Sequence, residues 1–478
     1  MTSSTSASNN RTDQVLGPAT NPIPTRVAVV SVLPVPDGSG NPVVGPGIRA
    51  WGLAQGLLAH GLQVGVLVQS DKPREEFWYR GLGVRTIDQH PDWLHELREF
   101  DAVVVLYASD AAYEITDALG GGSIKIALDA YLPWYVEAAA SQAHDPAGSY
   151  DSHRRTARRL NATLERGDVF LVANQTQRHF YVGVLSALGV LNPFTYSRLR
   201  VLEVPFGVAV EPETSLTTST DPYRALGIPE DRFLLLWFGA IYVWFDIDPV
   251  LAAVRELASN PRFHFVVVGG RHPLGSGDED PPHLRARETL ADLDGTQVHF
   301  VGWVPFHERF QWYAHADAAI SMNVPGLEGE YSWRTRLVDL VAAKLPFITN
   351  GGDPLSEDVL AEGGAFQVDT AALRLTDVVQ RLQTDPHELV RARAALATIR
   401  PRWTCAATTQ ALAVELAAVS TLTYDEKAFA REHHLEVRAR RPRGLPMRIQ
   451  QAQYLGRRTR EEGLISSLRI LRERLQSR

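Results

Sequence analysis

The sequence predicts an α/β protein built from two Rossmann-like domains that face each other across a cleft, with a C-terminal helical extension. Three observations predict it. Short apolar runs rich in Val, Ile and Leu alternate with helical stretches over most of the chain, the pattern of parallel sheets covered by helices on both faces. A polar segment at 210–221, VEPETSLTTSTD, interrupts that alternation, which restarts after it. Finally, 478 residues exceed what one ordinary core uses. The expected division is a disordered leader at 1–25, domains at 26–207 and 208–420, and a basic helical tail at 421–478.

In the first domain, 26–33 (RVAVVSVL) reads as a buried strand. The loop PVPDGSGNPVVGPG and an apolar helix from about Ile48 to His60 follow, stopped at Gly61, and 64–68 is the next strand. Strand, Gly-rich loop, helix and strand make a βαβ unit. Gly38, Gly40, Gly45 and Gly47 do not follow G-x-G-x-x-G, so the loop is expected at a cleft edge rather than as a tight cofactor turn. Strands are expected next at 102–107, 124–129, 169–173 and 201–206. Asp129 ends one of them, where open α/β sheets bind ligands; it is either a ligand group or the cap of the following helix. In the second domain the strands are 233–238, 263–268, 299–301, 318–321 and 346–349. No short repeat is present, which argues against a solenoid.

Composition narrows the function. The net charge of −7 argues against nucleic-acid binding by the whole chain. Residues 421–478 hold fourteen Lys/Arg against seven Asp/Glu, a local +7, which leaves −14 on the rest. Cys405 is the one cysteine, so no internal disulfide and no Cys-based zinc site is expected, and a reducing compartment fits. The first 25 residues lack the charged-then-apolar order of a signal peptide, and no apolar run approaches a membrane span. The expected location is cytoplasmic, at the inner face of a membrane if the basic tail meets anionic lipid.

Three loops after strands of the second domain converge on one sheet edge. The loop GAIYVWFDID offers Gly239, Trp244, Phe245 and Asp246 as a stacking and hydrogen-bonding surface, or as a cap on the sheet. Asp246 and Asp248 superficially resemble a metal motif, but Pro249 follows, so Asp248 reads as an N-cap and no metal is expected. In GGRHP, Arg271 is placed to grip a phosphate, with His272 beside it as an assistant or a structural residue. The third loop opens 326–353, GLEGEYSWRTRLVDLVAAKLPFITNGGD. Ser332 reads as an N-cap, and Arg334, Thr335, Arg336 and Asp339 fall on the polar side of a helix. Leu337, Leu340 and Val341 fall on its buried side. A helix start favours an anion through its N–H groups and dipole. Phosphate donors one or two turns from a carboxylate are what a nucleotide-sugar site needs. No P-loop or Ser-His-Asp order is visible.

Taken together, the residues resemble the bacterial family 4 group of retaining glycosyltransferases with the GT-B fold. The resemblance is carried by Gly45, Pro46, Gly47, Ile48 and Arg49; by Asp129, Tyr131, Pro133 and Glu137; and by Arg166, Gly167 and Asp168. It continues through Pro205, Phe206 and Gly207; Trp244, Phe245 and Asp246; Arg271, His272 and Pro273; Gly302, Trp303, Val304 and Pro305; and Ser332, Arg334, Thr335, Arg336 and Asp339. It implies that the second domain binds a nucleoside-diphosphate sugar and the first an acceptor, either a glycan, a lipid-linked sugar or a secondary metabolite. Nothing beyond the sugar nucleotide is implied as cofactor. The implied catalytic residues are Arg271, Arg336 and Asp129. The implied donor-binding residues are Gly239, Trp244, Asp246, His272, Glu328, Ser332, Arg334, Thr335 and Asp339, with Gly45, Gly47 and Arg49 on the opposite wall. The sequence departs from the group in its acidic motif. Asp339 stands in place of the second of two glutamates, Glu328 or Glu330 supplies the first at another spacing, and the usual Arg and Lys are missing from 239–246.

No general base is evident, which agrees with retention through a leaving phosphate that takes the acceptor's proton. Two other functions share the fold: a catalytically inactive sugar-nucleotide-binding scaffold in a glycan assembly complex, and a sugar-nucleotide epimerase; a phosphorylase is the weakest. The basic amphipathic stretch at 445–478, with Leu464, Leu468, Ile470 and Leu471 among Arg469, Arg472 and Arg474, is expected to meet an anionic membrane surface or a partner. The earlier part of the tail is expected to pack on the first domain.

Overall fold

The computed structural model describes residues 25–38, 43–70, 75–87, 91–208, 221–273, 281–368 and 374–418. The expected leader, nearly all of the 210–221 linker and the basic tail lie outside them. Two sheets form the framework. The first contains β1 (Arg26–Ser31), β2 (Gln63–Gln69), β3 (Glu76–Tyr79), β4 (Leu82–Ile87), β5 (Ala102–Leu106), β6 (Lys125–Asp129), β7 (Val169–Val172) and β8 (Arg200–Glu203). Their spatial order is β3-β4-β2-β1-β5-β6-β7-β8, parallel except for β3. The second contains β9 (Phe233–Ala240), β10 (Phe263–Gly270), β11 (Val298–Gly302), β12 (Ala318–Ser321), β13 (Phe347–Thr349) and β14 (Ala365–Gln367), in the order β11-β10-β9-β12-β13-β14 and parallel throughout.

The long β-branched runs became the central strands because both faces of each sheet are covered. Val27, Val29 and Val104 pack on one side of the first sheet, and Ala28, Val30, Val103 and Val105 on the other. The hairpin of β3 and β4 and the short β14 were not anticipated. Leu82–Ile87 reads LGVRTI and β14 is three residues long, so neither carries the apolar run by which buried strands are recognised.

One core joins the domains. Tyr131, Phe206 and Val208 from the first pack with Phe310, Tyr313, Trp333, Leu337 and Val341 from the second. Backbone pairing reinforces the junction: Val208 N–H donates to Trp403 O at 2.9 Å, and Cys405 N–H to Val208 O at 3.2 Å.

The helix Cys405–Ala417, expected in the second domain, packs on the first. Leu412, Ala413 and Leu416 share a core with Val27, Val29, Leu53 and Leu57. Gly56 permits the approach, since a Cβ there would lie 2.2 Å from Thr409 Oγ1 and 2.4 Å from Cys405 O. The buried Lys125 caps the helix end, donating from Nζ to Glu415 O at 2.7 Å and Ala418 O at 2.5 Å. From about residue 404 the chain packs against the first domain. Among the described residues, no helix is long and apolar enough to cross a membrane.

Candidate functional site

Between the domains lie two adjoining cleft regions. The narrower is largely apolar. The first domain contributes Val43, Val44 and Phe206, and the second Phe238, Tyr242, Trp303, Phe306 and Tyr313, with Arg309, Arg336 and Asp339. The wider is bounded by Gly45, Tyr131 and Glu137 on one wall and by Trp244, His272, Glu328, Ser332, Arg334, Thr335 and Arg336 on the other. Gly45, Tyr242, Thr335 and Arg336 line both, so the two meet at the start of the helix Thr335–Ala343.

Arg336 is the cation at that junction. Its Nη2 donates to Ala240 O at 2.7 Å, whereas Nη1 is buried and has no hydrogen-bond partner among the described residues. The guanidinium lies 4.1 Å from the Phe245 ring centroid and 5.3 Å from that of Trp237. Gly239, at φ 98°, admits it, because a Cβ there would stand 3.3 Å from Nη2. Burial pushes the Arg336 guanidinium down to about 10, with Arg334 acting the same way and Tyr242 against. A desolvated, incompletely bonded guanidinium is a group prepared for an anion: a phosphate oxygen would supply both the missing acceptor and the missing charge.

Arg334, Glu328, Arg309 and Asp339 are already paired. Arg334 holds Glu328 through two bonds, at 2.9 and 2.6 Å, and donates to Asn323 Oδ1 at 3.1 Å. Asp339 accepts from Arg309 Nε at 3.2 Å and from Tyr313 Oη at 3.4 Å. Arg309 itself is stacked 3.6 Å from the Phe306 ring centroid. Arg309 and Tyr242 escaped the sequence reading. Arg309 had a signal there, since it follows the strand-end segment 302–305, the same placement that singled out Arg271.

Several expectations are corrected. Arg49 and Asp129 form a buried two-bond ion pair, at 2.9 and 3.0 Å, and Arg49 also donates to Val204 O and Pro205 O at 2.7 Å each. The pair joins the first helix to the strand ends of its own sheet, so these groups are engaged within the first domain. Gly45 and Gly47 are not loop residues but open the helix Gly45–Ala59. Gly47 is a packing residue, since a Cβ there would fall 2.0 Å from Pro34 O. Arg271 is exposed and lines neither region; its carbonyl accepts from Trp303 Nε1. Asp246 also lines neither, and burial raises its carboxyl above the usual range, with Asp248 adding to the effect. Asp248 is no N-cap: it lies inside the helix Asp248–Leu257 and pairs with Arg285 at 2.9 Å. Ser332 ends the short helix Leu327–Tyr331, donating to Gly329 O at 3.0 Å, and starts nothing. The structure brings Gly239, Trp244, His272, Glu328, Ser332, Arg334, Thr335, Arg336 and Asp339 to the two regions.

Residues 250–413 match the family model described as Glycosyl transferase-like. No curated protein sequence matches. Among solved structures, sucrose-phosphate synthase from Thermosynechococcus elongatus superposes with TM-score 0.56 at 15% identity, over 82% of this chain and 97% of that one. HepE from Anabaena, in complex with UDP and glucose, gives 0.57 at 13%, over 82% and 100%. A trehalose-6-phosphate synthase studied for glycosyl transfer with retention gives 0.55 at 12%, over 83% and 100%. The fold is GT-B, and with the family-model match it marks the chain as a glycosyltransferase.

Proposed function

We propose that this chain moves a sugar, with retention, from a nucleoside-diphosphate sugar to a hydroxyl of a glycan, lipid-linked or secondary-metabolite acceptor. One observation carries the reading: Arg336, with a buried and unbonded Nη1, stands where the aromatic region meets the wider, polar one. A base and ribose fit the aromatic side, beside Tyr242, Trp303 and Phe306; the diphosphate fits Arg336 and the start of the helix Thr335–Ala343; the sugar extends toward Glu328. As the anomeric carbon separates from the diphosphate, negative charge grows on the leaving oxygen, and a preorganised guanidinium stabilises that charge without reorganising. Domain walls on both sides exclude water from the reacting centre. The neighbour HepE, solved with UDP and glucose, supports such a donor. No further cofactor belongs to the proposal, whereas an anionic membrane surface met through residues 445–478 does.

The first test is a thermal-shift screen of the full chain with UDP, GDP and dTDP. A ligand that binds only the folded state raises the melting temperature by mass action. At least one nucleoside diphosphate is expected to do so, and no shift with any of them sinks the reading. The ion pairing of both Glu328 and Asp339 favours a second function, a binding scaffold without turnover. UDP-sugars that bind tightly but are neither transferred nor hydrolysed would establish it, and interconversion of the donor without transfer would indicate an epimerase.

A further inference from the structure

The charges that line the wider cleft region leave one carboxyl without a counterpart. Glu328, Arg334 and Arg336 stand on the second-domain wall and Glu137 on the first. Glu328 and Arg334 neutralise each other through two hydrogen bonds, at 2.9 and 2.6 Å. Arg336 is the group that meets the diphosphate in the reading above, and Glu137 is left over. It lies on the helix Trp134–Gln142, which packs against the short helix Leu327–Tyr331 of the other domain. Half-buried, it makes no side-chain hydrogen bond or ion pair among the described residues.

A carboxyl partly withdrawn from water and lacking a donor carries a cost that a structural role does not explain. Burial, and then the charge of Glu328, raise the Glu137 carboxyl to about 7, with Arg334 opposing them. Around it in its own domain stand Tyr107, Tyr131 and Tyr181, which burial holds neutral, above their ordinary range. A bound sugar nucleotide deepens the imbalance, because its diphosphate brings more negative charge than one guanidinium neutralises. The space between Glu137 and the diphosphate then favours a cation. An ammonium answers both deficits of Glu137, the missing donor and the missing charge, in one charge-assisted bond. A hydroxyl answers only the first.

We propose that Glu137 selects an acceptor that carries an amino group, an amino sugar or another hydroxylated amine, by pairing its carboxylate with the protonated amine. This rests on the reading of the cleft as a sugar-nucleotide site. The pair anchors the acceptor on the first-domain wall, and a hydroxyl elsewhere on the acceptor faces the donor. Glu137 acts in binding alone. The hydroxyl oxygen bonds to the anomeric carbon, the bond from that carbon to the diphosphate oxygen breaks, and the departing diphosphate keeps the electron pair and takes the hydroxyl's proton.

The test is titration calorimetry on the full chain saturated with UDP, at about pH 7, where an amine is mostly protonated. The probes are glucosamine, N-acetylglucosamine, in which acetylation removes the charge, and glucose, which lacks the substituent. Glucosamine is expected to bind roughly tenfold more tightly than either neutral sugar. Glu137→Gln is expected to bring the three together, and Glu137→Asp, which keeps the charge, to retain part of the preference. The thermal shift caused by UDP stays unchanged in both variants. Glu137→Gln removes a charge that its surroundings disfavour, so folding is retained, and the UDP shift verifies it. Equal binding of the three sugars by the unmodified protein, a glucosamine preference that survives Glu137→Gln, or loss of the UDP shift in that variant overturns the proposal. The UDP shift of the unmodified protein separately tests the sugar-nucleotide reading: a shift without an amine preference sinks this proposal alone.

Discussion

Arg336 concentrates the chemistry of the cleft in one side chain. Its position on the polar side of a helix could be read from the 3.6-residue period, because Leu337, Leu340 and Val341 are buried as that period requires. Its unbonded Nη1 could not, since that depends on Ala240 and Phe245 arriving from another strand end. On the proposed reading, replacing Arg336 with Ala would remove a charge-assisted bond to phosphate, a contact of about 1.5–3 kcal/mol, so donor affinity is expected to fall roughly tenfold to a hundredfold. Asp339→Ala is expected to weaken binding as well, because it also releases Arg309. Titration calorimetry with UDP, alongside melting curves, measures both; unchanged affinity in both variants with intact melting would move the donor site elsewhere. Arg49 and Asp129 show the opposite outcome. Each looked functional alone, and spacing in the sequence gives no sign that they meet across 80 positions.

Among the elements, the helix Cys405–Ala417 diverges most from what its place in the chain suggests. It follows the whole second domain yet completes the core of the first, seated on glycines of the helix Gly45–Ala59. Gly56→Ala would force a Cβ against Thr409 and the Cys405 carbonyl. Overpacking of this kind costs about 1–3 kcal/mol, and a lower melting temperature is expected, read by circular dichroism. Equal melting would show that the two helices part readily. The central strands were legible because covered strands need continuous apolar runs; the β3–β4 hairpin was not, because β3 lies at the sheet edge, where the mixed composition of Glu76–Tyr79 is tolerated, and Leu82–Ile87 beside it has no continuous apolar run.

For the molecule as a whole, the described chain ends at Ala418, held by Lys125 of the first domain. The basic tail lies outside the described residues, and its charge of +7 is set against −14 elsewhere. Deletion of residues 445–478 is expected to abolish co-sedimentation with anionic liposomes, and an intact protein that stays in the supernatant would refute the membrane contact. The sequence by itself determined the two α/β domains, the run of strands along the chain and the stretch 326–353 as one wall of the cleft, because burial and helical period are written in local composition. Only the tertiary structure decided which charges remain available. Arg49, Asp129, Glu328, Arg334 and Asp339 are neutralised by partners that folding brings near, while Arg336 and Glu137 are left incompletely paired. Pairing depends on distances of a few ångströms between segments far apart in the chain, and no local pattern encodes those distances.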